Sequence, residues 1–195
     1  EVLTPAEAAC SWLRRARYAP HLLVQPDLEE DFLDIPKSDR VAVVVGDAGP
    51  YFTFDRMNAA FRMLMDGAPF LALATNRVFS DADGKLSLDA GAFVRALEYS
   101  SGTSALLLGK PSPEFFLAGA NSMGCSLSEV VMIGDDAESD ISGAISAGIQ
   151  KSVLVKTGKY RSGDEERYPN APSFVARDAQ DGVGYVLKEC RQVRQ

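Results

Sequence analysis

The segment VAVVVG at 41–46 is apolar from end to end. A strand with one wet face alternates apolar and polar residues, so an unbroken run predicts a strand buried on both faces, as in a parallel sheet covered by helices. The rest of the chain meets that demand. HLLV at 21–24, FLALAT at 70–75, ALLLGK at 105–110, VVMIG at 130–134 and SVLVK at 152–156 are short apolar runs of the same kind, separated by stretches with helical spacing. TPAE at 4–7 is a capping box with proline at the first helical position and predicts a helix from Thr4 to about Arg17, with Ala8, Ala9, Trp12 and Leu13 on one face. Met57, Ala60, Phe61, Leu64 and Met65 predict a helix over 53–66 stopped by Gly67. Further helices are predicted near 90–99, from the Ser112 cap and Pro113 to Gly124, over 138–147 and over 180–191. Strand and helix alternate, which predicts an α/β fold with a mostly parallel sheet. Ser100, Ser101 and Gly102 form the clearest break and divide residues 1–103 from 104–195.

Charge narrows the function. The chain carries 27 acidic against 20 basic residues, a net charge of −7, and offers no basic stripe to displace counterions from a nucleic acid or an acidic membrane. No apolar run reaches the ~18 residues of a membrane span, and EVLTPAEAAC lacks the basic start and apolar centre of a signal peptide. Cys10, Cys125 and Cys190 are odd in number and widely spaced, which excludes a zinc pattern or closed disulfide framework and predicts a reducing, cytoplasmic setting. The single histidine, His21, precedes an apolar strand and reads as structural. A metal cation or a small, metal-complexed anion is the partner this balance favours.

VVMIGDDAESD at 130–140 runs an apolar strand into Asp135, Asp136 and, one turn later, Asp140. Carboxylates this close repel, and each unit of pKa displacement corresponds to about 1.4 kcal/mol, so a nearby cation is expected. ALLLGKP, a helix and VVMIGDD read as one βαβ unit, which would bring Lys110 and Asp135 to the carboxyl ends of neighbouring parallel strands, where α/β sheets bind ligands. Lysine beside clustered carboxylates suits a phosphate bridged by Mg2+, a cation that prefers one or two protein carboxylates plus water and phosphate oxygens. Asp136 reads as the helix cap. GTSALLLGKP is not a nucleotide-binding loop, because an apolar strand precedes Gly109 and proline follows Lys110.

GKPSPEFF followed by VVMIGDDAESDISGA resembles the third and fourth motifs of the haloacid dehalogenase (HAD) superfamily. DAGPYFTFDRMNAAFRMLMDGAPFLA, GAFVRALEYSSGT and LVKTGKYRSGDE extend the resemblance over nearly the whole chain, to the branch with a large α/β cap of the C2 type. The resemblance implies a cap over residues 1–103 and the C-terminal half of a Rossmann-like core over 104–195. It implies a Mg2+-dependent phosphatase acting on a small phosphorylated molecule, a phosphoamino acid or pyrophosphate, through an aspartyl-phosphate. Lys110 would orient the nucleophile and phosphoryl group, and Asp135 would bind the metal. Asp140 would complete the metal site by supporting its waters or the lysine. ATNR at 74–77 imitates the family's phosphate-gripping second motif in letters but by position matches the cap's substrate-facing loop, so Thr75 and Asn76 are candidate specificity residues, with the phosphate grip as the alternative.

The family's first two motifs, a D-x-D or D-x-S nucleophile strand and a second strand ending in threonine or serine, have no counterpart in these residues. The D-x-D-G at 81–84 reads as a solvated acidic turn. Lysine and a metal-binding aspartate only stabilise charge that a nucleophile must create, so the chain is expected to be a truncated phosphatase. The alternative is a non-catalytic module that binds phosphate or a partner. Missing core strands would also leave exposed edges and an uncovered apolar face, which predicts a homo-oligomer.

Overall fold

The computed structural model describes residues 2–192. Two compact units divide the chain, Glu1–Gly109 and Lys110–Gln195.

The first unit begins with helix α1 (Pro5–Ala16). Thr4 caps it, accepting the Glu7 N–H on Oγ1 at 3.1 Å, and Arg17 ends it in the left-handed region at φ 60°. Trp12 on this helix lies tilted against Tyr18, with ring centroids 5.7 Å apart. There follow β1 (Ala19–Leu23), the short α2 (Pro26–Glu29), β2 (Val41–Val45), α3 (Phe54–Met65), β3 (Phe70–Ala72), the hairpin β4 (Val78–Ser80) and β5 (Leu86–Leu88), α4 (Ala90–Ser101) and β6 (Leu106–Leu107). The strands β1-β2-β3-β6 form one sheet in that order, and every pairing in it is parallel.

Consecutive residues Ala42, Val43, Val44 and Val45 are all 0% exposed, so β2 is covered on both faces as its composition demands. Val43 and Val45 pack with Leu23, Phe70 and Ala72 against Ala60 and Leu64 of α3 and Val94 and Leu97 of α4. Each buried valine adds about 1.5–3 kcal/mol of transfer free energy.

The second unit contains α5 (Pro113–Ser122), β7 (Val131–Gly134), a π-helical turn over Ala137–Ser142 that runs into α6 (Gly143–Ala147), β8 (Lys151–Val155), α7 (Asp164–Arg167), β9 (Phe174–Ala176) and α8 (Ala179–Gln192). Its parallel sheet has the order β7-β8-β9. Val153, Val155 and Ala176 pack on one side with Tyr185 and Val186 of α8. Leu154 packs on the other side with Ala137 and Ile141 of the π-turn.

The fold class is the α/β arrangement the alternation predicts: a parallel sheet flanked by helices, with further α/β elements. One pairing differs from expectation. Residues 105–110 and 130–134 do not form one βαβ unit. Leu106 and Leu107 pair with Leu71 and Ala72 of β3, whereas β7 pairs with β8. The cause is local to Gly109, where a Cβ would lie 2.3 Å from the Leu73 carbonyl oxygen. The bare glycine lets the chain run against the end of β3, so the strand belongs to the first unit. Two pieces of sheet that the apolar runs do not announce also exist. The β4–β5 hairpin encloses the D-x-D-G, and the three-residue β9 follows Pro172.

Asp81–Gly84 is a turn, with the Gly84 N–H donating to the Asp81 carbonyl at 2.9 Å and Gly84 at φ +79°. The Asp81 carboxylate accepts from the Ala82 N–H at 2.7 Å and from the Ser87 hydroxyl at 2.8 Å. The side chain of Cys190 lies outside the described residues; Cys10 and Cys125 are free thiols.

Candidate active site

In the second unit, β7 delivers the chain to Asp135, and the next six residues set the local geometry. Asp136 is the N-cap: its Oδ1 accepts from Glu138 N–H at 3.1 Å and Ser139 N–H at 2.9 Å, meeting two of the donors a helix start leaves unpaired. The turn that follows is wider than α, since the Asp136 carbonyl accepts from both Asp140 N–H at 2.9 Å and Ile141 N–H at 3.3 Å. Such π-turns recur at functional sites. Here the wide turn lays Asp140 back over the end of β7, where a Cβ on Gly134 would sit 2.3 Å from Asp140 Oδ2.

Asp140 is 3% exposed, one of few buried polar residues. Burial of a carboxylate is costly without partners, and both its oxygens have one. Oδ1 accepts from Lys110 Nζ at 2.6 Å, and Oδ2 accepts from the Asp136 N–H at 3.2 Å. Lys110 is held by its own neighbour: a Cβ on Gly143 would come within 2.6 Å of Pro111 Cβ, so glycine there lets the Lys110–Pro111 segment seat on the start of α6.

The fifth member of the network comes from the loop after β8. Lys159 donates its backbone N–H to Asp135 Oδ2 at 2.6 Å and its ammonium to Asp136 Oδ2 at 3.0 Å. Burial opposes ionisation of Asp136, but the Ser139 N–H, the Lys159 ammonium and the Glu138 N–H outweigh it and hold that carboxyl below the usual range. The hydrogen bond to Asp136 raises Lys159, against partial burial and with help from the charges of Asp136, Asp140 and Asp135. Asp135, Asp136, Lys159, Arg167 and Tyr168 line a cavity of about 230 Å³.

Three carboxylates and two ammonium groups thus share one network. Its formal charge is negative, which leaves room for a cation. Among the described residues no three His, Cys, Asp or Glu side chains converge as a ready ligand set. Asp135 is the carboxylate of this network that could take a cation. One of its oxygens is fixed by Lys159, and its Oδ1 has no hydrogen-bond partner among the described residues.

Thr75 and Asn76 lie in the first unit, exposed, beyond the carboxyl end of β3. Their backbone is pinned to the first turn of α4. Gly91 donates its N–H to the Asn76 carbonyl at 2.9 Å, and a Cβ there would be 2.3 Å from the Thr75 oxygen.

Sequence reasoning did not single out Gly158 and Lys159. The signal was the glycine–lysine pair within LVKTGKYRSGDE, just past the β8 run.

Against known proteins, the HAD-hydrolase-like family model matches residues 107–182. Haloacid dehalogenase-like hydrolase domain-containing protein 2 of Bos taurus is 41% identical over 188 residues, an alignment spanning 96% of this chain and 72% of that protein. The chain belongs to the HAD-like hydrolases. Another relative is phospholysine phosphohistidine inorganic pyrophosphate phosphatase of Mus musculus, 40% identical over 190 residues, covering 96% of this chain and 70% of that one. Among solved HAD structures, a 4-nitrophenylphosphatase from Thermotoga maritima aligns with TM-score 0.76 at 27% identity, over 92% of this chain and 70% of its own. Glycerol phosphate phosphatase from Mycobacterium tuberculosis, solved in complex with magnesium, shares the fold with TM-score 0.78 at 24% identity, over 92% of this chain and 57% of that chain. Among the described residues no helix is long and apolar enough to cross a membrane.

Proposed function

We propose that this chain carries the lysine- and metal-bearing part of a magnesium-dependent phosphatase site for small phosphorylated molecules, phosphoamino acids or pyrophosphate among them. The observation that carries the reading is the Lys110–Asp140–Asp136–Lys159–Asp135 network at the end of β7. Phosphatase names among its relatives support the reaction class. Magnesium in a structure of the same fold supports the cofactor.

In this reading Lys110, held by Asp140, places its ammonium on the phosphoryl group. Asp135 holds the metal through its unpaired oxygen, Asp136 caps the helix behind it, and Asp140 supports the site through Lys110. Bound magnesium supplies charge neutralisation for the phosphoryl oxygens. The nucleophile is a carboxylate that these residues do not provide: it attacks phosphorus, the leaving group departs, and water then hydrolyses the aspartyl-phosphate. Residues 1–103 act as the cap, with Thr75 and Asn76 selecting substrate, and residues 104–195 as the second half of the core. Exposed Val78, Leu86 and Leu88 on the hairpin favour self-association as a homodimer. Free Cys10 and Cys125 suit a reducing cytoplasm.

One observation favours a second reading, a phosphate- or partner-binding module without turnover: the D-x-D-G is a hairpin turn whose first carboxylate is already spent on Ala82 and Ser87. Magnesium-dependent phosphate release from p-nitrophenyl phosphate or pyrophosphate separates the two. The phosphatase reading expects no turnover by these 195 residues and recovery when a D-x-D strand and its partner strand are supplied upstream. Recovered activity should vanish in Lys110→Ala and Asp135→Asn; no recovery would sink the phosphatase reading.

A further inference from the structure

Lys159 makes two contacts of different kinds. Its backbone N–H holds Asp135 Oδ2 at 2.6 Å, and its ammonium holds Asp136 Oδ2 at 3.0 Å. The first contact exists only because residue 158 is glycine. Gly158 sits at φ +50°, and a Cβ there would lie 1.9 Å from Asp135 Oδ2. No side chain fits in that gap without expelling the carboxylate.

The second contact contributes little to folding, since the Lys159 side chain is 72% exposed and such pairs are weak in water. Its effect is on the chemistry of Asp136. With Oδ1 committed to the Glu138 and Ser139 N–H groups and Oδ2 to the ammonium, Asp136 has both oxygens occupied. Among Asp135, Asp136 and Asp140, a divalent cation arriving at the end of β7 then meets one oxygen with no hydrogen-bond partner among the described residues, Asp135 Oδ1.

We infer that Gly158 and Lys159 together fix the coordination of the metal: the backbone contact sets the orientation of Asp135, and the ammonium withholds Asp136. Lys159 is a positioning residue in this role. The inference rests on Asp135 being the metal ligand, and it makes the two halves of the dipeptide act in opposite directions. Disturbing the backbone contact weakens the ligand. Removing the ammonium releases a second carboxylate and takes a positive charge from beside the cation, so it strengthens binding at the cost of the one-carboxylate geometry.

The test is Mn2+ binding to the 195-residue chain, read by the loss of the free-ion electron paramagnetic resonance signal, with circular dichroism confirming each fold. Lys159→Met should bind roughly three- to tenfold tighter, and adding Asp136→Asn should return the affinity to that of the parent. Lys159→Arg should keep the parent affinity. Gly158→Ala should bind about tenfold or more weakly, the usual effect of losing an outer contact to a ligand. Asp135→Asn should abolish binding. Binding that is absent in the parent, or unchanged in Asp135→Asn, overturns the metal reading itself. With Asp135→Asn inactive in binding, a Lys159→Met variant that is unchanged or weaker overturns the present inference. That second outcome decides even where Gly158→Ala fails to fold.

Discussion

Lys110 Nζ and Asp140 Oδ1 lie 2.6 Å apart but in different surroundings, the aspartate side chain 5% exposed and the lysine 40%. Deleting the two partners should therefore not cost the same. Lys110→Met leaves a carboxylate buried without its cation and should cost about 2 kcal/mol, discounted from the 3–5 of a fully buried pair because water reaches the lysine side. Asp140→Asn leaves an ammonium that can turn to solvent and retains an acceptor for the Asp136 N–H, so it should cost about 1 kcal/mol. Urea unfolding of the two variants measures the asymmetry. Equal losses would show that the burial of Asp140 is not what makes this pair matter.

Glycine substitutions should separate by what a Cβ would strike. At Gly143 the obstacle includes Pro111 Cα at 2.9 Å, which is backbone and cannot rotate away, so Gly143→Ala should destabilise by about 1–3 kcal/mol. At Gly184, within α8, nothing lies within 4 Å, and Gly184→Ala should stabilise by up to about 1 kcal/mol from helix propensity alone. Thermal unfolding midpoints of both variants check this, and a shift of the same sign would contradict it.

His21 gives the fold an acid-side weakness. Burial in β1 is the main cause that lowers its pKa, and the neighbouring Arg56 guanidinium adds to it. The unfolded chain, with a histidine near 6.5, therefore binds the proton first. The contribution of neutral His21 is whole above that value and is lost as pH falls through the lower folded value. Stability from urea unfolding should decline between pH 7.5 and 5.5, and His21→Gln should flatten that part of the slope. An unchanged slope would assign the decline to other groups.

Asp81 should be dispensable for chemistry. Its carboxylate is fully engaged in closing the β4–β5 turn, so wherever phosphate release can be measured, Asp81→Asn should leave the rate unchanged while Asp135→Asn removes it. Loss of turnover in Asp81→Asn would identify it as a reacting group and displace the turn assignment.

The sequence made the sheet strands and the longer helices readable because their signals are local. Thr4 and Ser112 cap helices where their spacing says, and the unbroken valines of β2 are buried on both faces. The site was readable on the side where it is contiguous. Asp135, Asp136 and Asp140 sit within one turn of each other, and Lys110 stands out by its strand-end position. What was hidden depends on tertiary contact. Strand β6 follows β3 because Gly109 meets the Leu73 carbonyl, a close approach that hydrophobic pattern does not encode. Lys159 reaches Asp135 from the loop after β8, and no spacing rule links residues so far apart. The three-residue β9 is too short to show a period.

Trp12 is the chain's single tryptophan, and it sits on α1 beside Tyr18 in the first unit. Its fluorescence therefore belongs to residues 1–109 alone, whereas the Lys110–Asp140 network and the stacked Phe174 and Tyr185 belong to the other unit. The first unit thus has a fluorescent reporter of its own, whereas far-ultraviolet circular dichroism reports helices and strands of both. Following indole emission alongside far-ultraviolet circular dichroism in one denaturant series would show whether the units melt as one cooperative block or in sequence. That result decides whether a stability change at Asp140 can be read directly as a change of the whole chain.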